Sequence, residues 1–140
     1  MEKFVLVDGG TKKQRDLVED IAWWFCEKYF SRFKSFNIEI DLCNIEGEAQ
    51  GWAMEIDKNC SHIEIDKSQK GDDFITCVLH ELVHVKQQFK GELKDISGFK
   101  KLWKGEVHLD NEDYYNLPWE KEAYKMQEIL LEEYKNGNSY

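Results

Sequence analysis

The residues of this chain best suited to do chemistry are His80-Glu81-Leu82-Val83-His84. In a helix, positions i and i+4 lie one turn apart on the same face, so His80 and His84 can hold one metal ion between their imidazoles. Glu81 follows the first histidine and projects beside it. There a carboxylate can take a proton from an attacking water and pass it to a leaving amine. With four His and 17 Glu in 140 residues, such a pattern arises by chance about 0.01 times in a chain of this length. The metal implied is zinc, one ion per chain, which needs a third protein ligand and keeps its fourth position for water. Gln87 and Lys90 stand where the extended H-E-x-x-H-x-x-G-x-x-H pattern would need Gly and His, so the third ligand must come from further along. His108, Glu120 and Glu122 are the candidates.

These residues need elements to position them. Phe74, Val78, Leu82, Val85 and Phe89 form an apolar stripe at helical spacing, away from the histidine face. This predicts a helix capped by Asp72 or Asp73 and ending near Lys90, before Gly91. Upstream, Leu17, Val18, Ile21, Ala22, Phe25, Tyr29 and Phe33 predict a helix over 12–34 with Thr11 as N-cap. Three alternating segments follow, 36–42, 50–56 and 61–66, with Trp52, Met54 and Ile56 on one face of the second. Short connections predict a largely antiparallel three-stranded sheet, one face buried and one wet. The stretch from Gly91 to Leu117 reads as a loop, and Pro118 opens a last helix running to about Lys135. The expected fold is α+β, one domain over 1–140. Its N-terminal helix packs on the small sheet, and residues 1–10 and 136–140 are flexible.

Composition narrows the class further. Nineteen basic and 28 acidic residues give a net charge of −9. That disfavours nucleic acid, whose binding relies on Lys and Arg neutralising phosphates, and an anionic membrane surface. No apolar run is long enough for a membrane span, and the N-terminal run of about four is too short for a signal peptide. Cys26, Cys43, Cys60 and Cys77 contain no C-x-x-C pair and are expected to be reduced thiols in a cytoplasmic protein.

The segments His80-Glu-Leu-Val-His-Val-Lys-Gln88, Trp103-Lys-Gly105 and Pro118-Trp-Glu-Lys-Glu-Ala-Tyr124 together resemble gluzincin-type zincin metallopeptidases. They are similar in particular to small metallopeptidase-like proteins common in bacteriophage genomes. The resemblance covers about residues 36–130. It implies a minimal zincin-like domain, a peptide or protein substrate, and, for a phage-encoded chain, the host cytoplasm. The E-x-x-A pattern of several gluzincin groups falls on Glu120 to Ala123, which implies Glu120 as the third ligand beside His80 and His84. Glu122 lies about 200° round the helix from it. Tyr124 stands where many gluzincins carry Asp or Asn to hold a ligand histidine, so another group must do that here. His108 as third ligand would be the SprT-like alternative. The chain ends without the zinc ribbon or basic tail of DNA-associated SprT-like proteases.

Tyr114, Tyr115, Tyr124 and His108 could each donate to an oxyanion, and aromatic packing around a loop explains each of them equally well. His62 reads as a surface histidine, and the acidic run from Glu106 to Asp113 as a solvated loop. In zincins the strand before the metal helix often forms an edge that pairs with substrate. If Ser61 to Asp66 is that edge, Glu64 and Asp66 would favour basic side chains. Two other functions compete. Peptide deformylase also uses H-E-x-x-H, but its Cys-containing E-G-C-L-S segment has only Glu46-Gly47-Glu48-Ala49 as counterpart. A non-catalytic binder that keeps a zincin fold around a structural metal is the alternative from a different class.

Overall fold

In a computed structural model, residues 2–98, 100–109 and 113–137 are described. The chain opens with a strand, β1 (Lys3–Gly9), followed by α1 (Lys12–Tyr29), β2 (Phe36–Cys43), β3 (Gly51–Asp57), β4 (Cys60–Asp66) and α2 (Gly71–Phe89). Three short strands come next: β5 (Leu93–Ser97), β6 (Lys100–Trp103) and β7 (Glu106–Leu109). A 3₁₀ turn (Tyr114–Asn116) then leads into α3 (Pro118–Gly137). The class is α+β, with three helices and two sheets.

The main sheet has four strands in the order β1-β2-β4-β3. It is mixed, not the expected antiparallel meander. β1, β2 and β4 run parallel, and only β3 pairs antiparallel with β4. The meander reading failed because residues 3–9 are a strand, not a flexible terminus. Once β1 lies along β2, α1 is the crossover that parallel neighbours require. β3 then takes the outer edge, and the hairpin returns β4 alongside β2. Gly9 is needed at the end of β1, where φ is +82° and a Cβ would overlap the Leu42 carbonyl.

Ile38, Ile40, Ile63 and Ile65 point into one face of the sheet and are essentially inaccessible, as are Val18, Ile21, Ala22 and Phe25 of α1 and Val78, Leu82 and Val85 of α2. Each Val, Leu, Ile or Phe among them contributes on the order of 1.5–3 kcal/mol. β3 breaks the expected pattern. Its Ala53 pairs with Ile63 and its Met54 with His62, so its apolar set faces away from the core, with Met54 and Ile56 more than half exposed. The opposite face of the sheet carries Phe4, Leu6, Glu39, Asp41, His62 and Glu64, and among the described residues no helix covers it.

α1 begins at Thr11 through a reciprocal capping box with Gln14 but stops at Tyr29, short of the expected residue 34. Phe30, Phe33 and Phe36 leave the helix to pack with Phe89 at the end of α2. α2 is capped by no side chain. Asp72 and Asp73 lie inside its first turn, where they favour the helix through its dipole instead. The expected loop over 91–117 holds an antiparallel ribbon, β5-β6-β7, whose second turn has positive φ at both Lys104 and Gly105, the signature of a two-residue hairpin. Glu106 to Leu109, read as solvated loop, is therefore strand, while residues 110–112 lie outside the described residues. Asn136 and Gly137, expected to be flexible, end α3, and residues 138–140 lie outside the description. All four cysteines are unpaired, with Cys26 and Cys77 buried. Among the described residues no helix is long and apolar enough to cross a membrane.

Candidate metal centre

α2 lies between the sheet and α3, so its residues are buried nearly all round. Its polar stripe can exist there only if every polar atom finds a partner. His80, Glu81 and His84 are 5–8% exposed, and Glu120, in the first turn of α3, is 7% exposed. Ala123 is fully buried one turn beyond Glu120, and its small side chain lets α3 approach α2 closely. The structure thus brings His80, His84 and Glu120 together. Both histidine Nε2 atoms lie 3.1 Å from the same Glu120 oxygen, Oε1, and one donor atom from each of the three residues falls within a 4.8 Å span.

The other ring nitrogens are committed as well. His80 Nδ1 is 2.7 Å from Gln127 Oε1 and His84 Nδ1 is 2.8 Å from Gln87 Oε1. An amide oxygen only accepts, so each Nδ1 carries the proton, and a neutral ring then has its lone pair on Nε2. Gln87, fully buried, is held in turn by the Trp119 carbonyl at 3.0 Å and Glu122 at 3.2 Å. Two lone pairs and a carboxylate oxygen facing one point would repel unless protons or a cation lie among them. Without a metal, the three residues form buried ion pairs. Neutral imidazoles tied at Nδ1 together with one carboxylate are also the donor set that zinc takes, so the residues fit the ion.

The titration tendencies follow from this packing. Burial pushes the Glu81 carboxyl above its usual range, against the pull of His84 and His80. Burial would also raise Glu120, but the hydrogen bonds and charges of the two histidines outweigh it and hold that carboxyl at about 2. His84 is lowered by burial yet raised overall by Glu120 and Glu81. Tyr114 Oη donates to Glu120 Oε1 at 3.0 Å, and Tyr124 packs its ring 4.7 Å from that of His80. Tyr114, a candidate oxyanion donor, thus touches the Glu120 carboxylate.

The other candidates are elsewhere. Glu122 faces Gln87, Lys86 and Lys104. His108 sits on β7 against Trp119 and Glu106. β4 is an interior strand, so Glu64 and Asp66 line no substrate edge. The sheet's edge on this side is β3, which among the described residues pairs on one side only. Gly51 of β3 lies so close to the site that a Cβ there would be 3.3 Å from Glu81 Cγ. The residues that sequence reasoning missed are Gln87 and Gln127. Gln87 lies three residues beyond His84 and Gln127 seven beyond Glu120, roughly one and two turns along the same helix face, and that spacing was the available signal. The site opens into a cleft of about 1250 Å³ bounded by α2, β3, α3 and the β5-β6 ribbon. No family model, curated protein or solved structure matches this chain.

Proposed function

We propose that the protein is a zinc-dependent metallopeptidase of zincin type, hydrolysing peptide bonds with Glu81 as general base. The observation that carries this reading is the convergence of His80, His84 and Glu120, each oriented by a further hydrogen bond, at the floor of a long open cleft. In this reading, α2, the edge strand β3 and the glutamate donated by α3 form the core of a minimal zincin-like domain. His80 and His84 would hold the ion through Nε2 while Gln127 and Gln87 keep the Nδ1 protons in place, and Glu120 would complete the set. Bound there, zinc supplies Lewis-acid polarisation of a carbonyl and acidifies a water to near-neutral pKa.

The chain's own residues do the rest. Glu81 takes a proton from the attacking water at its carboxylate and returns it to the leaving amide nitrogen. Its buried setting, which raises the carboxyl, suits a group that must both accept and release a proton. Tyr114 keeps the Glu120 oxygen turned toward the histidines. β3, an edge strand among the described residues, would offer its outer main-chain groups along the cleft to an extended substrate.

Glu81→Gln should retain zinc and lower turnover of a casein or peptide pool by about 10²–10⁴-fold. An E81Q protein with full activity would overturn the mechanism. A wild-type protein that binds zinc and cleaves nothing would leave a binding role.

A further inference from the structure

The cleft that holds the candidate centre is charged far more unevenly than the molecule. The chain has 28 acidic and 19 basic residues, yet among the described residues eight carboxylates line the cleft against one lysine, Lys101. Glu81 and Glu120 lie at its centre. The other six, Glu48, Glu55, Asp72, Asp73, Asp95 and Glu128, stand on its rim, and all six are exposed. Two already have cationic partners: Asp72 meets Lys135 at 2.8 Å and Asp95 meets Lys101 at 3.5 Å.

Their placement follows from how β3 lies on α2. Cys77 Sγ reaches the Gln50 carbonyl at 3.4 Å, Gly51 abuts Glu81, and Gln88 Nε2 is 3.5 Å from the Ala53 carbonyl. The strand therefore runs along the helix in the same direction, with its first residue, Gly51, beside Glu81 at the middle of the helix. Asp72 and Asp73, in the first turn of α2, together with Glu48 just before β3, mark one end of the cleft. Glu55, four residues past Gly51, marks the other. Burial and then the nearby Asp95 raise the Glu55 carboxyl, against the opposing pull of Lys94. Asp73 precedes Glu81 by eight helical residues, about 12 Å, and Glu55 is about 13 Å along the strand from Gly51. An extended peptide covers that distance in roughly three to four residues.

We infer that the substrate of this site is a cationic peptide segment, with Lys or Arg about three residues from the cleaved bond on both sides. One end of the cleft reads one cation through Glu55 and Asp95, and the other reads its counterpart through Asp73, Glu48 and Glu128. This inference rests on the peptidase reading for the bond-breaking step, but the charge selection is a property of the cleft alone.

The test uses three fluorescein-labelled octapeptides of alanine and leucine, with Arg, Gln or Glu at the second and seventh positions. Binding is measured by anisotropy to the full chain carrying E81Q and loaded with zinc. The Arg peptide should bind at least about tenfold tighter than the Gln peptide at low salt, and the margin should shrink at high salt. Adding E55Q with D95N, or D73N with E128Q, should each weaken the Arg peptide by about three- to tenfold and leave the Gln peptide unchanged. The pair E19Q and E27Q, exposed on α1, removes the same charge away from the cleft and should change nothing beyond about twofold. Equal binding of the Arg and Gln peptides, or an equal loss in E19Q/E27Q, would overturn the proposal. Incubating the wild-type protein with the same peptides separates the two readings. If none is cut, the peptidase reading fails while the anisotropy result still decides the charge preference.

Discussion

Among the described residues, two clusters of three gather histidine with carboxylates, and they differ in burial and in how their ring nitrogens are used. In each, three residues bring donor atoms within 4.8 Å of one another: His80, His84 and Glu120 in one, Asp41, His62 and Glu64 in the other. The second lies on the open face of the sheet, half-buried, where the parallel register of β2 and β4 sets Asp41 beside Glu64. Both nitrogens of His62 face carboxylates, Glu39 at 3.6 Å and Glu64 at 3.5 Å, and water reaches them all. In the first cluster the nitrogens have separate roles. A neutral amide fixes one nitrogen of each ring, and the others converge on one oxygen inside the protein. The comparison teaches that ligand types within reach are common on an acidic surface. Burial with a fixed tautomer is what distinguishes a centre.

Metal-free protein tests that difference most strongly. Glu120 is held at about 2 against an ordinary 4.5, so its contribution is fully present above about 4.5 and lost as pH falls toward 2. It amounts to up to about 3 kcal/mol. The raised His84 contributes below its ordinary 6.5 and loses that contribution as pH climbs through its higher folded value. Thermal melts of zinc-free protein should therefore show greatest stability between about pH 5 and 6, and E120A should flatten both limbs. An unchanged profile in E120A would mean the buried ion pairs do not matter.

Next come the amides. Q87A or Q127A should weaken zinc by about 10–100-fold in a chelator competition while leaving the ligands intact. No change would remove the orienting role from the argument. The smallest effect is expected on the open face, where H62A should shift the unfolding free energy by less than about 0.5 kcal/mol and leave zinc binding untouched.

Much of this centre was legible because helical spacing is rigid. His80, Glu81 and His84 share a turn by arithmetic, and the E-x-x-A segment placed Glu120 where the structure brings it to them. Long-range pairing was not legible. Phe4-Val-Leu-Val7 is too short for a signal peptide and carries no partner-strand signal, although it is the core of β1. Nothing local says that 36–43 pairs with 3–9 on one side and 60–66 on the other. The alternation in β3 misled because its apolar residues face away from the core, while small Gly51 and Ala53 meet the helix. The β5-β6-β7 ribbon was hidden by its short strands, though Lys104-Gly105 was a usable turn signal. Gln87 and Gln127 escaped because an amide gains meaning only from the ring it faces.

The central claim is that one buried centre, and not the open cluster, holds the metal. Zinc content per chain, measured after dialysis on wild type and on H80A, H84A, E120A, H62A, E122A and H108A, tests it directly. Wild type should carry one zinc, lost in the first three variants and retained in the last three. Zinc retained in E120A or H84A, or lost in H62A or H108A, would contradict it.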